Sequence, residues 1–317
     1  DKTQVAQKKL SFTMTLSQPA TLLFTSGSTS EPKAVLSTLN NYISSAKTSN
    51  DLLEFKDTSS WLLSLPCFHI SGLAIVFRVI LGGGALIIHR SKNITDLFAS
   101  HVISHVSLVA TQLRRLLSNM TENTVKSLTC VLVGGGPLPR SLAKNALDKG
   151  IPLYLTYGST ELCSQVATQK LSNSESLSVG KVLPHTTLDL SSDNEILLKG
   201  QTLFQGYYTK GMLVLPLDKN DFYHTGDIGH LNEENELTIT GRIDRQFISG
   251  GENINPESIE TALLSLEDIH QAKVLPQDNI EFGTIAIAYI SPFYPEKTDS
   301  IKIKLKSILP NHMIPKE

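Results

Sequence analysis

Short apolar segments alternate with longer helix-like segments between residues 20 and 160, and this alternation limits the fold more than any other feature. Each apolar segment is three to five residues long, as expected for strands that are buried on both faces. The apolar segments are residues 21–24, 61–65, 85–88, 106–110, 130–133 and 153–155. Helices are predicted around residues 71–81, 94–101, 112–120 and 140–149. Strand–helix alternation of this kind predicts βαβ units and a parallel sheet flanked by helices.

The pattern changes after about residue 177, where short strands are separated by turn residues. Strands at 187–190, 195–198 and 236–240 predict a small antiparallel β unit. A compact α+β tail follows, with helices at 256–266 and 299–308 and strands at 271–275 and 284–290. We therefore predict an α/β fold in which a large domain, residues 1–242, precedes a small and mobile C-terminal domain, residues 243–317. The large domain combines parallel sheets and flanking helices with the β unit.

Composition excludes several classes of protein. Of the 317 residues 40% are hydrophobic, which supplies a core, and the net charge of −2 argues against a nucleic-acid partner. Three widely spaced cysteines without a CxxC pair argue against a disulfide framework or a zinc site. The most apolar stretch, residues 72–88, is interrupted by Arg78 and three glycines, and it is shorter than the ~20 residues that span a bilayer. We expect a cytoplasmic protein without stable membrane insertion; the oligomeric state stays open, with a homodimer as one option.

A hydroxyl-rich run directly follows the first apolar strand. It contains small residues whose backbone and side-chain donors suit phosphate oxygens, together with a lysine, namely Thr25, Ser26, Gly27, Ser28, Thr29 and Lys33. It is not a Walker loop, because no glycine precedes the lysine and no serine or threonine follows it. An ordinary solvent loop is the alternative.

A second run, Tyr157-Gly158-Ser159-Thr160-Glu161, also follows a predicted strand. A glutamate at the carboxyl end of a strand can hold a Mg²⁺ ion that bridges phosphates. The alternative is a glutamate that caps the next helix.

Two further runs lie near the predicted domain boundary. In Tyr223-His224-Thr225-Gly226-Asp227, an aspartate in a tight glycine turn suits the hydroxyls of a ribose, and an Asx turn is the alternative. Residues 241–256 place Gly250 and Gly251 beside charged residues, which suggests a hinge that also lines a ligand path.

Taken in order, these four runs resemble the adenylate-forming superfamily of acyl- and aryl-CoA ligases, luciferases and peptide-synthetase adenylation domains. Within it, Cys67-Phe68-His69-Ile70-Ser71-Gly72-Leu73 with Arg78 looks like the acyl-pocket helix of the o-succinylbenzoate–CoA ligases. The runs Gly134-Gly135-Gly136-Pro137 and Cys163-Ser164-Gln165 are also similar to those ligases.

The resemblance implies a two-step reaction with ATP, Mg²⁺ and coenzyme A. A carboxylic acid, in this case o-succinylbenzoate for menaquinone biosynthesis, forms an acyl-adenylate with release of pyrophosphate. Coenzyme A then displaces AMP after the C-terminal domain has rotated. Another aryl- or acyl-CoA ligase, or a non-catalytic relative that binds nucleotide or acyl ligand, are the alternatives.

The resemblance also implies roles for single residues. Catalytic roles fall to His69, Thr160 and Glu161, of which Glu161 binds Mg²⁺ and His69 gates the acyl channel. The acyl substrate is contacted by His69, Ser71, Arg78 and Gln165. Asp244 is the hinge, and Gly250 and Gly251 admit coenzyme A. ATP is bound by Thr25, Ser26, Gly27, Ser28, Thr29, Lys33, Gly135, Gly136, Pro137, Tyr157, Asp227 and Arg242.

Two departures from the family pattern matter. The family usually has glycine at the positions of Ser30 and Ala34, so we expect a stiffer phosphate loop. Only 24 residues precede Thr25, and the chain stops at Glu317. The resemblance therefore predicts that an N-terminal part and the loop with the catalytic lysine are missing, in a piece of a longer protein or in a shortened, inactive relative.

Overall fold

The structure is a computed structural model that describes residues 15–25, 32–89, 95–120, 122–172, 177–266, 268–292 and 297–317. The helices are α1 (Leu39–Leu53), α2 (Ile70–Gly82), α3 (Thr95–Ser100), α4 (Ala110–Asn119), α5 (Glu122–Ser127), α6 (Arg140–Asp148), α7 (Pro256–Leu264) and α8 (Thr298–Lys306). The first strands are β1 (Pro19–Thr25), β2 (Lys33–Thr38), β3 (Ser60–Leu62), β4 (Ala85–Ile87), β5 (His105–Leu108), β6 (Cys130–Val133), β7 (Leu153–Ser159), β8 (Ser164–Lys170) and β9 (Thr186–Leu190). The remaining strands are β10 (Glu195–Gly200), β11 (Gly206–Thr209), β12 (Met212–Val214), β13 (Tyr223–Leu231), β14 (Leu237–Arg242), β15 (Phe247–Ser249), β16 (Glu252–Ile254), β17 (Gln271–Asn279) and β18 (Gly283–Ser291).

A six-stranded sheet in the order β4-β3-β5-β6-β7-β8 forms the centre of the fold. Its first five strands are parallel, and β8 joins the edge antiparallel to β7. Every residue of β5 and β6 is buried, because a parallel sheet is covered by helices on both faces. The predicted α/β class and the five predicted strands of this sheet are confirmed.

The sequence predicted that the first apolar segment is a strand of this parallel sheet, and that prediction was wrong. The segment is β1, which forms an antiparallel hairpin with β2 in a separate sheet of order β1-β2-β11-β12. Leu22 and Phe24 are exposed, so the run is half-buried rather than buried on both faces. Four consecutive apolar or β-prone residues fit a strand that is buried on both faces and also one that is half-buried. The partner strand decides between the two.

A third sheet has the order β14-β13-β10-β9 and is antiparallel throughout. It contains the three strands of the predicted β unit. Its fourth strand, β13, includes Asp227, for which the sequence predicted a tight glycine turn. That prediction was wrong: Gly226 has a left-handed backbone, with φ of 73°, but the chain continues as a strand on both sides of it.

The C-terminal region follows the predicted order of helix, two strands and helix. Strands β17 and β18 form a long hairpin that packs on α7. Ile254, Ile259, Leu263, Val274 and Leu305 belong to a core of this region alone. Separate cores support the division near residue 243, which stays a prediction, as does the mobility of the smaller unit. Within the described ranges, none of the helices has both the length and the apolarity needed to cross a bilayer.

Candidate active site

A cavity of about 410 Å³ opens at the carboxyl ends of the parallel strands. Open α/β sheets bind ligands at this edge, because the loops that follow the strands diverge there. The cavity is lined by residues of several motifs that the sequence singled out, namely His69, Ser71, Gly135, Thr160, Arg78 and Gln165. The fold therefore brings the predicted acyl-contacting residues to one place.

Arg78 is the residue of this cavity with the most unusual environment. Its side chain is 1% exposed, and one terminal nitrogen donates to Gln165 Oε1 at 2.8 Å and to Ser164 Oγ at 3.2 Å. The guanidinium carbon lies 5.2 Å from the centre of the Trp61 ring, and Nε has no hydrogen-bond partner. Burial lowers the Arg78 pKa to about 10, so the group is still protonated at pH 7. In the described part of the chain no carboxylate forms a salt bridge with it.

The helix that carries Arg78 begins beside the cavity mouth. His69 precedes its first residue with an extended backbone, is exposed, and lies with its ring 4.6 Å from that of Phe68. Gly72 lies in the first turn of α2, and a glycine is required there because a Cβ would lie 2.3 Å from the Pro66 carbonyl oxygen. The helix then points Ser71 and Arg78 toward the same cavity, one at each end of its first two turns.

A polar network joins three of the predicted nucleotide-binding residues. The Tyr157 hydroxyl donates to Asp227 Oδ2 at 2.6 Å, and Arg242 donates to Asp227 Oδ1 at 2.7 Å. Arg242 also donates to Asp244 Oδ1 at 2.9 Å, which ties the network to the predicted hinge. Burial, followed by the Asp227 charge, raises the Tyr157 pKa well above its ordinary value. Burial also raises the Asp227 pKa, against the lowering effect of its two donors.

The loop after β6 carries the residues predicted to flank adenine. Gly135 has a φ of 77°, a conformation that favours glycine, and it lines the cavity. Gly136 and Pro137 are exposed in the same loop. Gly134 passes so close to β7 that a Cβ there would lie 2.7 Å from Thr156 Cγ2. The loop thus lines the cavity and lies against β7, the strand that carries Tyr157.

Lys33 and Glu161, predicted to serve the phosphates, both contact one tyrosine. The Tyr207 hydroxyl donates to Glu161 Oε1 at 2.9 Å, and Lys33 Nζ lies 5.1 Å from the centre of the Tyr207 ring. Tyr207 also shares a hydrogen bond of 2.8 Å with Tyr223. Thr25 pairs with Lys33 at the end of the β1–β2 hairpin where the chain passes from one strand to the other. Ser26, Gly27, Ser28 and Thr29 lie outside the described residues.

The donors near Glu161 fit a magnesium ion that is held mainly by its substrate. Magnesium is usually bound through one or two carboxylates plus the phosphates of the nucleotide, and it keeps several waters. Glu161 supplies one carboxylate, and Thr160 supplies a hydroxyl beside it. A cluster of three or more metal-ligating side chains is not found in the part of the chain that the structure describes. Such a cage is not needed for this mode of binding.

The glycines predicted to admit coenzyme A have a structural role of their own. Gly250 and Gly251 form the turn between β15 and β16, with φ of 57° and 87°. A two-residue hairpin turn requires this left-handed backbone, so the hairpin alone accounts for both glycines. Neither lines the cavity, and their contact with coenzyme A stays a prediction.

The departure at Ala34 has no cost in backbone strain. Ala34 lies in β2, is buried, and pairs with Phe24 on one side and Tyr208 on the other. Its backbone is not left-handed, so a glycine is not required for conformational reasons. Ser30, the other departure, lies outside the described residues.

Sequence reasoning missed several residues that contact the predicted ones. Tyr207 donates to Glu161, Tyr223 contacts Tyr207 behind it, and Thr168 accepts from Gln165 by a hydrogen bond of 2.6 Å. The pair Gly206-Tyr207 has the composition of a strand start, but its partner strand β2 is remote in sequence. A local pattern could have suggested the strand and not its neighbours.

Comparison with known proteins identifies the family of the chain. The model of the AMP-binding enzyme family matches residues 2–208. The chain belongs to the AMP-binding enzyme family. Among curated relatives, the 2-succinylbenzoate–CoA ligase of Haemophilus influenzae is 40% identical over 299 residues, which cover 92% of this chain and 64% of that protein. The ligase of the same name from Bacillus velezensis is 35% identical over 291 residues, which cover 87% of this chain and 60% of that protein.

Solved structures of family members share the fold. The o-succinylbenzoate CoA synthetase of Bacillus subtilis, in complex with its acyl-adenylate intermediate, superimposes with a TM-score of 0.87 at 32% identity and covers 96% of this chain. The complex of that enzyme with ATP and magnesium ion gives 0.84 at 33% identity. Each match spans 66% of the longer chain. The present chain spans less than two thirds of the length of the two curated relatives.

Proposed function

We propose that this chain carries the activity of an o-succinylbenzoate–CoA ligase, which joins an aromatic diacid to coenzyme A at the expense of ATP. The family assignment, the names of the relatives and the clustering of the predicted residues around one cavity support this proposal. The product would serve menaquinone biosynthesis. The three cysteines are free, which fits the reducing environment of the cytoplasm.

One observation carries the choice of substrate: Arg78 is a buried, protonated side chain that lines the cavity without a carboxylate partner in the described chain. An unpaired buried charge costs several kcal/mol, so a fold retains it where a ligand supplies the opposite charge. o-Succinylbenzoate has two carboxylates, and only one of them is activated. The second carboxylate is the partner that Arg78 selects.

The first step is the attack of a carboxylate oxygen on the α-phosphorus of ATP. The bond between the α-phosphorus and the bridging oxygen breaks, and pyrophosphate leaves. Asp227 and Arg242 hold the ribose, Tyr157 supports the adenine side, and Lys33 approaches the phosphates. Mg²⁺ at Glu161 supplies charge neutralisation on the phosphates when it is bound. These groups act chiefly by positioning and electrostatics.

The second step transfers the acyl group to sulfur. The coenzyme A thiolate attacks the acyl carbonyl carbon, the carbon–oxygen bond to phosphate breaks, and AMP leaves with that oxygen. We place the change between the two steps at Asp244, in the 3-10 turn that separates the two cores. The Arg242–Asp244 contact would then report the position of the smaller unit.

The substrate assignment can be tested by binding, because the single tryptophan, Trp61, lies against Arg78. We expect o-succinylbenzoate to change the Trp61 fluorescence. The matched monoacid is β-benzoylpropionate, which keeps the succinyl carboxylate and lacks the ring carboxylate. Arg78→Met removes the charge and keeps much of the volume. It should weaken binding of the diacid about 100-fold, since a buried charge pair is lost, and change binding of the monoacid far less.

Stability measurements separate this role from a structural one. Because Arg78 has no anionic partner in the described chain, removing its buried charge should offset the loss of its hydrogen bonds to Gln165 and Ser164, and Arg78→Met should unfold at a urea concentration no lower than the wild-type protein. A purely structural arginine would give the opposite result. Equal weakening of both acids would refute the recognition of the second carboxylate. Pyrophosphate release over a panel of acids then tests turnover, and activity with all acids alike would indicate a broader acyl-CoA ligase.

A further inference from the structure

A largely buried series of hydrogen bonds leads away from Arg78 within the cavity wall. Arg78 donates to Gln165 Oε1 at 2.8 Å, and Gln165 Nε2 donates to Thr168 Oγ1 at 2.6 Å. Thr168 Oγ1 lies 2.7 Å from Thr156 Oγ1, which donates to the Ala167 carbonyl oxygen at 3.0 Å. Gln165 is 1% exposed and Thr168 is 5% exposed. Water therefore cannot replace these partners readily.

The direction of every hydrogen bond in this series follows from its last acceptor, the Ala167 carbonyl oxygen. A backbone carbonyl only accepts, so the single hydroxyl proton of Thr156 points to Ala167. Thr168 must then donate its proton to Thr156 and can only accept from Gln165. This forces the amide NH₂ of Gln165 toward Thr168 and its oxygen toward Arg78. Arg78, which has donors alone, requires the same orientation of the amide.

A β-bulge explains how Gln165 and Thr168 come to share one side of β8. Residues three apart in a regular strand point to opposite faces. In this pair of strands Tyr157 opposes Ala167, whereas Gly158 opposes Gln165, so Val166 is an extra residue on β8. The bulge reverses the alternation and turns Gln165 toward Arg78.

We propose that Thr168 is a positioning residue for acid recognition: it fixes the amide of Gln165 so that its oxygen holds the Arg78 guanidinium in the cavity. The inference rests on the proposed function, since it concerns the same arginine. Without the Thr168 hydroxyl, the buried NH₂ of Gln165 loses its acceptor, and Arg78 alone then holds the amide. The side chain of Gln165 is less firmly fixed against the guanidinium, and Arg78 loses its fixed orientation toward a carboxylate ligand.

The test compares three variants of Thr168 by the Trp61 fluorescence titration. Thr168→Val keeps the volume and removes the hydroxyl, Thr168→Ser keeps the hydroxyl, and Thr168→Ala removes the hydroxyl with less bulk. We expect Val and Ala to weaken o-succinylbenzoate binding about tenfold, the scale of one hydrogen bond, and to leave β-benzoylpropionate binding nearly unchanged. Ser should restore binding of the diacid. Either of the two variants without the hydroxyl suffices if the other does not fold.

A double-mutant cycle then shows whether Thr168 acts through the arginine. In the Arg78→Met background, Thr168→Val should have no further effect on the affinity for the diacid. An unchanged loss in that background, or equal loss for both acids, would overturn the role of Thr168 while leaving that of Arg78 intact. If Arg78→Met itself retains the preference for the diacid, both the proposed function and this inference fail.

Discussion

Removing the Tyr207 hydroxyl should selectively weaken the magnesium-dependent part of ATP binding. This hydroxyl donates to Glu161 Oε1 at 2.9 Å and accepts from Tyr223 at 2.8 Å, so it fixes the carboxylate that we assign to Mg²⁺. Burial and the Glu161 charge raise the Tyr207 pKa, which keeps the hydroxyl protonated as a donor. Tyr207→Phe removes this bond and keeps the ring that faces Lys33.

The size of the effect follows from the kind of bond that is lost. A hydrogen bond to a charged group contributes about 1.5–3 kcal/mol, and both side chains are only half-buried, so the lower end applies. That corresponds to about a tenfold smaller gain in ATP affinity when Mg²⁺ is added. ATP binding without Mg²⁺ should stay the same, since the Lys33 contact is kept.

Calorimetric titration of ATP at a series of Mg²⁺ concentrations measures both quantities. Tyr208→Phe is the matched control, because Tyr208 is the next residue of β11 and is exposed. Glu161→Gln should abolish the Mg²⁺ response, and adding Tyr207→Phe to it should change nothing more. A Tyr207→Phe protein with the wild-type Mg²⁺ response, or a Tyr208→Phe protein with the same loss, would refute the assignment.

Local patterns were sufficient for elements whose buried face is apolar. Helix α2 was predicted at residues 71–81 and extends from Ile70 to Gly82. The C-terminal order of helix, two strands and helix was predicted as well. In both cases apolar side chains dominate the buried face, so hydrophobic periodicity predicts the element directly.

Helix α1, which the sequence analysis missed, shows why periodicity can fail. Four polar residues lie on its buried side, beside only Tyr42, Ala46 and Leu53, so the apolar stripe is sparse; the polar residues are Asn41, Ser45, Ser49 and Asn50. Asn41 donates to the carbonyl oxygens of Gln201 and Leu203, and Asn50 donates to that of Arg78. These acceptors are remote in sequence, and hydrogen bonds to them replace apolar burial as the reason for packing.

The features of the candidate site also divide into those visible in the local sequence and those that depend on residues remote in sequence. Arg78 could be singled out as a charge within an apolar helix, because that contrast is local. That no carboxylate of the described residues pairs with it could not be predicted, since this is known only when the neighbouring side chains are in place. The contacts of Gln165 depend on one extra residue in β8, and a one-residue change of register reverses which side chains meet.

Three further predictions address the hinge, the site wall and the stability of the larger unit. Asp244→Pro fixes φ and removes an N–H at the predicted hinge. It should slow thioester formation from supplied acyl-adenylate more than it slows pyrophosphate release. A selective loss of pyrophosphate release would show that the hinge lies elsewhere. Gly158→Ala should lower the free energy of unfolding by about 3 kcal/mol in urea titrations, because the new Cβ would lie 1.5 Å from the Ser164 oxygen; an unchanged midpoint would contradict the tight β7–β8 approach. Burial lowers the pKa of His105, against the raising effects of its bond to the Leu53 carbonyl and of the Glu54 charge. The unfolded chain, with a histidine pKa of about 6.5, therefore binds a proton first as the pH falls, and the folded state loses stability below that value. Urea midpoints should drop between pH 7.5 and pH 5.5, which bracket about 6.5, and less so in His105→Gln; equal slopes for both proteins would show that His105 does not report this transition.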